Sequence, residues 1–115
     1  YEEVAAYMAA CDVLIMPWNS SPWIRACNPV KMKEYLAVGR PVVSTPFDEL
    51  EHYKGFIAPA EGAEAFVCAV RAALANPGAT EPRRARVERE TWKAKGECAL
   101  DSLARLGLRP VGGDA

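Results

Sequence analysis

At 115 residues, half of them hydrophobic and a quarter charged, the chain has the composition of an ordinary globular domain with room for one modest core. Its formal net charge of -1 argues against a general polyanion-binding role, so no nucleic-acid partner is expected. No apolar run approaches the ~20 residues that span a bilayer, and no signal-peptide pattern opens the sequence.

Tyr1 to Ala10 carries Val4, Met8 and several alanines at helical spacing, with Glu2 and Glu3 near the start, where negative charge favours a helix N-terminus. The chain opens inside this helix on a tyrosine, so further sequence upstream is expected. Asp12 to Pro17 is a short apolar run ended by proline, and its lack of alternation predicts a strand buried on both faces. Trp18 to Asn28 is polar, broken and aromatic, and reads as a loop. Asn28-Pro29 predicts a helix start, with Asn28 as the cap and Pro29 at the first helical position. That helix runs to Val38, and Gly39 is its stop.

Pro41 to Thr45 is the next predicted strand, Pro46 to Lys54 a loop, and Gly55 to Ala58 a short third strand. Glu61 to Ala75 reads as a helix with Phe66, Val67, Val70 and Leu74 on one side, ended by Asn76-Pro77-Gly78. One long helix is predicted from Pro82 to Leu106, with Trp92, Ala99, Leu103 and Leu106 on its apolar face. The basic cluster from Arg83 to Arg89 reads as a solvated face of that helix. Residues 107–115, with Pro110, Gly112 and Gly113, are expected to form a flexible tail.

Helices alternating with strands too apolar to face water define an α/β chain with a parallel sheet covered on both sides. Three strands leave an open edge, which fits half of a doubly wound, Rossmann-like domain better than a whole one.

In open parallel sheets, ligands bind beyond the carboxyl ends of the strands. Here the loop from Trp18 to Asn28 leaves such an end and delivers the chain to a helix N-terminus, whose free N–H groups favour a phosphate. Lys31 lies in the first turn and Glu34 follows three residues later on the same side. The lysine can neutralise a diphosphate while the carboxylate, deeper along the helix, accepts hydrogen bonds from two ribose hydroxyls. The same spacing also makes a plain surface ion pair worth about 0.2–0.5 kcal/mol. Spacing alone permits both.

The run from Asn28 to Ser44 (NPVKMKEYLAVGRPVVS) resembles the donor-site segment of retaining glycosyltransferases of the GT-B fold. In that group the pattern P-x-K-x-x-E-Y-L-A-x-G-x-P-V-V follows a strand ending D-V-x-x-x-P, which Asp12, Val13 and Pro17 supply. The helix bearing Glu64-Ala65-Phe66 and the final tryptophan-bearing helix are similar to the group's C-terminal end. The resemblance implies that residues 1–106 are the second half of the donor-binding, Rossmann-like C-terminal domain. The N-terminal acceptor domain and the first half of the C-terminal domain would then lie outside this sequence, and the segment alone would be inactive.

Carried over by position, the resemblance implies that Glu34 holds the donor ribose, Lys31 the diphosphate, and backbone groups of Asn28, Pro29 and Val30 the phosphate site. It implies sugar transfer from a uridine- or guanosine-diphosphate sugar, with no bound metal and no cofactor beyond that donor substrate. Helix-end amides and basic side chains would stabilise the departing nucleoside diphosphate. It also allows peripheral membrane association of the parent enzyme. One departure stands out: many relatives carry an earlier glutamate near the donor sugar, and its position here is Ala26. No catalytic residue is assigned.

Trp18, Trp23 and Arg25 border the expected site, where they either contact the donor or pack the loop rim. His52 reads as a surface residue and Trp92 as a core or interdomain anchor. Cys27 precedes a helix N-terminus, which would favour a thiolate, but no partner base is visible. Cys11, Cys27, Cys68 and Cys98 are far apart and lack zinc-ligand spacing, so no metal site, reduced thiols and a cytoplasmic location are expected. Two other readings stand beside the transferase: a sugar-nucleotide epimerase on the same fold, and a complete flavodoxin-like binding module. The module predicts a closed, compact body.

Overall fold

The structure, a computed structural model, describes residues 3–108. Helix α1 (Val4–Ala10) leads into strand β1 (Leu14–Met16), followed by the one-turn helix α2 (Pro22–Arg25), helix α3 (Val30–Val38) and strand β2 (Val42–Ser44). A 3-10 helix (Asp48–Tyr53) and strand β3 (Ala58–Pro59) come next, then helices α4 (Ala63–Ala75), α5 (Glu81–Val87) and α6 (Trp92–Arg105). The sheet is parallel throughout, in the order β1-β2-β3, with Leu14 opposite Val42 and Val43 opposite Ala58. The result is an α/β fold with a partial, Rossmann-like parallel sheet.

One core cluster joins Leu14, Met16 and Val42 of the sheet to Met32 and Leu36 of α3, with Phe47, Tyr53, Ile57 and Val87 completing it. Met32 and Leu36 are one helical turn apart and fully buried, which fixes the face that α3 turns to the sheet. Helix α4 packs against β2 and β3. Successive strand residues point to opposite faces, so α4 covers the Val43 side, and all of β2 is buried.

Strand β1 departs from the expected burial on both faces. Leu14 and Met16 are buried, but Ile15 between them is 46% exposed. β1 is an edge strand, and among the described residues its second face has no covering helix. The expected loop from Pro46 to Lys54 is mostly 3-10 helix, which turns Phe47 and Tyr53 into the core from its two ends. β3 starts at Ala58 rather than Gly55. On α4 the inward side carries Phe66, Ala69, Val70 and Ala73, while Val67 and Leu74 are exposed.

The single helix expected from Pro82 to Leu106 is two. Residues 88–90 break it, and Thr91 restarts it in extended conformation, its Oγ1 accepting from the Ala94 N–H at 3.2 Å. The break lets α5 bury Val87 against α3 while α6 projects away, with every residue but Ala94 exposed. The face carrying Trp92, Leu103 and Leu106 is therefore uncovered, Trp92 being 87% exposed. Gly107 and Leu108 close α6 through N–H donations to the Ala104 and Leu103 carbonyls, a Schellman stop. The remainder of the expected tail, residues 109–115, lies outside the described residues. The radius of gyration is 17.5 Å, against about 13 Å for a compact chain of this length. That argues against the closed module.

The arginines expected on a solvated face instead hold the far end of α3. Gly39 adopts φ +86° and ends the helix, its N–H donating to the Tyr35 carbonyl. The last carbonyls of α3 then receive guanidinium donors. Arg84 Nε and Nη2 each reach 3.2 Å, to Ala37 and Val38, and Arg83 Nη1 donates to Gly39 at 3.1 Å. Cations there complement the negative end of the helix dipole.

Glu90 ties the same region together in the joint between α5 and α6. It lies 2.9 Å from Lys95 Nζ, 3.6 Å from Arg86 Nη1 and 3.9 Å from Lys33 Nζ. Arg86 in turn lies 4.1 Å over the Tyr53 ring and donates to the His52 carbonyl. The hydrogen bond from Lys95 holds the Glu90 carboxyl below its usual value of 4.5. A depressed carboxyl stabilises the fold above its unfolded value, and the contribution disappears as pH falls through the lower folded value. Accordingly, Glu90→Gln should lower the melting temperature at pH 7, and the gap from the parent should close as the pH is taken below 4.5. A gap that persists unchanged into acid would show that the charge is not what Glu90 contributes.

Candidate functional site

The carboxyl ends of β1 and β2 are laced together by side chains that follow each strand. The Thr45 hydroxyl donates to the Trp18 carbonyl at 2.8 Å and accepts from the Trp18 N–H at 2.9 Å. The buried Ser44 hydroxyl donates to the Thr45 carbonyl at 2.8 Å. The Trp18 ring stacks at a tilt on Phe47, centroids 5.3 Å apart. Trp18 thus packs the loop rim, whereas Trp23 and Arg25 face solvent.

Between this rim and α3 lies α2, inside the expected loop. Ser21 is its cap, with Oγ accepting from the Ile24 N–H at 3.4 Å, and Pro22 occupies the first turn. Ala26, where many relatives have a glutamate, ends this turn and is exposed. A solvent-facing depression of about 440 Å³ opens beside it at the strand ends, bounded by Ser20, Arg25, Phe47 and Glu61.

Helix α3 begins one residue later than expected, and Asn28 does not cap it. Pro29 sits at the cap position in extended conformation, and no side chain caps the helix. The Asn28 Oδ1 is engaged elsewhere, accepting from Lys33 Nζ at 2.7 Å. The proline ring is buried and holds the chain's approach, so the first-turn N–H groups of Val30, Lys31 and Met32 emerge without a capping side chain.

Lys31 and Glu34 meet as expected of their spacing. Lys31 Nζ lies 2.8 Å from Glu34 Oε2, with the lysine side chain 46% exposed and the glutamate 24%. Glu34 also lines a cavity of about 450 Å³ between α1 and α3. Val4, Ala5, Met8 and Ala9 form one wall, Ala37 and Val38 the other, and Arg84 closes the far end. Sequence reasoning used Val4 and Met8 only to detect a helix. Their spacing of four was also the sign of a shared face, and that face looks onto Glu34.

The remaining candidates fall away from the site. Cys27 is half-buried, and all four cysteines are free thiols. His52 is exposed on the 3-10 helix. Among the described residues no group of three or more His, Cys, Asp or Glu could hold a metal ion. Among them, too, no helix is long and apolar enough to cross a membrane.

A parallel sheet, an uncapped helix N-terminus beyond its strand ends, and a lysine–glutamate pair on that helix place the chain among α/β proteins with a partial, Rossmann-like sheet. The comparisons agree. Residues 1–76 match the family described as glycosyl transferases group 1, and the chain belongs to it. Over 44 residues it is 48% identical to the "Putative teichuronic acid biosynthesis glycosyltransferase TuaH" of Bacillus subtilis (strain 168). That match covers 38% of this chain and 11% of the relative's length. No solved structure matches the chain.

Proposed function

We propose that this segment is the donor-gripping part of an enzyme that moves a sugar from a nucleoside-diphosphate sugar to an acceptor. In this reading the first-turn amides of Val30 and its neighbours, the backbone at Asn28 and Pro29, and Lys31 hold the diphosphate. Glu34 takes two ribose hydroxyls, and the apolar walls of Val4, Met8 and Val38 receive the base.

The observation that carries the reading is the position of Glu34. It lies one turn inward from an uncapped helix start, paired with Lys31, and on the wall of a cavity large enough for a nucleoside. The ion pair is no obstacle. Exposed pairs are worth about 0–1 kcal/mol, whereas hydrogen bonds to charged groups contribute about 1.5–3 kcal/mol each. A diphosphate therefore outcompetes Glu34 for the lysine and leaves the carboxylate to the ribose.

Membership of a transferase family weighs against the epimerase. The sugar-bearing cleft, the acceptor domain and the first half of the donor domain belong, in this reading, to the rest of a two-domain GT-B enzyme. Amides and lysine do the electrostatic work, so the reaction needs no metal, and a cytoplasmic nucleotide-sugar pool supplies the donor. The complete enzyme should melt at a higher temperature in the presence of UDP or GDP, with the increase unchanged by EDTA. No increase with either nucleotide would defeat the reading, and an increase abolished by EDTA would defeat its metal-free form.

A further inference from the structure

Glu90 lies at the opposite end of the sequence from the Asn28 loop, yet an unbroken polar chain joins them. Glu90 Oε2 lies 3.9 Å from Lys33 Nζ, and Lys33 Nζ donates to Asn28 Oδ1 at 2.7 Å. Both charged side chains are 19% exposed, so solvent screens this pair less than an ordinary surface pair. Glu90 is itself fixed by Lys95 from α6 and Arg86 from α5.

The chemistry of Asn28 gives this chain a purpose. A carboxamide has one acceptor oxygen and one NH2 donor group at opposite corners. Lys33 engages the oxygen, which leaves the NH2 as the end that Asn28 can offer to a ligand. An anion at the start of α3 needs donors and is repelled by a carbonyl oxygen. With Lys33 withdrawn, the carboxamide is released to turn and present either end. With Glu90 removed, Lys33 loses the carboxylate 3.9 Å from its Nζ that helps to fix the side chain beside Asn28.

We propose that Glu90 is a positioning residue for the diphosphate site, acting through Lys33 to keep the Asn28 carboxamide in its anion-accepting orientation. The proposal rests on the donor-site reading, and two measurements on the complete enzyme keep the two separable.

The first needs no nucleotide. In selectively 15N-asparagine-labelled protein, Glu90→Gln and Lys33→Met should each shift the Asn28 side-chain NH2 resonances, while Glu90→Asp should shift them less. The second is calorimetric titration with UDP and GDP. Glu90→Gln should raise the Kd of the tighter-binding nucleotide about threefold to tenfold, the scale of one hydrogen bond. In a Lys33→Met background the same change should add less than about twofold, because a route already cut cannot be cut again.

Asn28 resonances that stay in place in both variants would overturn the proposal. So would a Glu90→Gln effect of equal size with and without Lys33, which would mark Glu90 as a general contributor to folding. Loss of nucleotide affinity in neither Lys31→Ala nor Glu90→Gln, with the Asn28 shifts intact, would instead retire the donor site and with it the purpose assigned to the tether. Should Glu90→Gln fail to fold, Glu90→Asp and Lys33→Met carry both measurements.

Discussion

Lys31→Ala in the complete enzyme is expected to weaken binding of the nucleoside-diphosphate donor by about tenfold to a hundredfold, the scale of one hydrogen bond to a charged group. Glu34→Ala should cost a similar factor by a different route, since it removes the acceptor for the ribose hydroxyls. The two losses should not add fully. Glu34 pairs with Lys31 at 2.8 Å, so its removal would take away one partner that an incoming diphosphate has to displace while it deprives the ribose. A deoxyribose donor separates the roles: it should bind the parent and Lys31→Ala more weakly than the ribose donor does, yet bind Glu34→Ala as well as the ribose donor does. Calorimetric titration of the four proteins with both donors checks each statement. Unchanged affinity in the Lys31→Ala, Glu34→Ala double variant would end the assignment of this helix to donor binding.

Among the described glycines, Gly39→Ala should be the most destabilising. At φ +86° an L-residue is strained, and the added Cβ would lie 2.2 Å from Thr80 Cγ2. Strain of about 1 kcal/mol and overpacking of about 1–3 kcal/mol together give about 2–4 kcal/mol. For a domain of this size that lowers the melting temperature by about 10–25 °C. Thr80→Ser removes the clashing methyl, so the Gly39→Ala, Thr80→Ser pair should recover the steric share and keep the backbone share. A Gly39→Ala protein that melts within a few degrees of the parent would show that the loop before α5 yields freely. The position matters for the candidate site because the same turn receives Arg83 and ends the helix that carries Lys31 and Glu34.

The parts of this fold that were legible in the sequence are those set by local rules with one clear signal. Gly39 stopped α3, Asn76 followed α4, and the buried β2 run read as a strand with covered faces. The misreadings came from signals that local rules weigh equally. Ser21-Pro22 and Asn28-Pro29 are the same helix-start signature, yet the serine caps and the asparagine does not. What decides is Lys33, five residues beyond Asn28, which takes its oxygen. Thr91 likewise looked like one more helical residue until Glu90 beside it gathered charges from three helices. The exposed face of β1 was invisible for a different reason, since alternation is judged over several residues and the strand has three.

The Lys31–Glu34 pair was found from spacing, and family resemblance gave it a role. The cavity was missed because its walls come from two helices separated by a strand, and no local pattern reports which faces meet. Arg83, Arg84 and Arg86 were read as solvated for the same reason. Among their partners are backbone carbonyls of Ala37, Val38, Gly39 and His52, and carbonyls leave no mark in a sequence.

Arg40 adds one more such contact, its guanidinium donating twice to the Ala9 carbonyl at 3.1 and 2.7 Å. The groove between α1 and α3 therefore has a spine and a mouth. At the spine, Arg40 and Arg84 pin the two helix ends; the mouth opens towards Val4 and the first turn of α3. The pinned ends fix how closely α1 and α3 approach at the spine, so the width of the groove is set there by two guanidinium groups rather than by apolar packing alone.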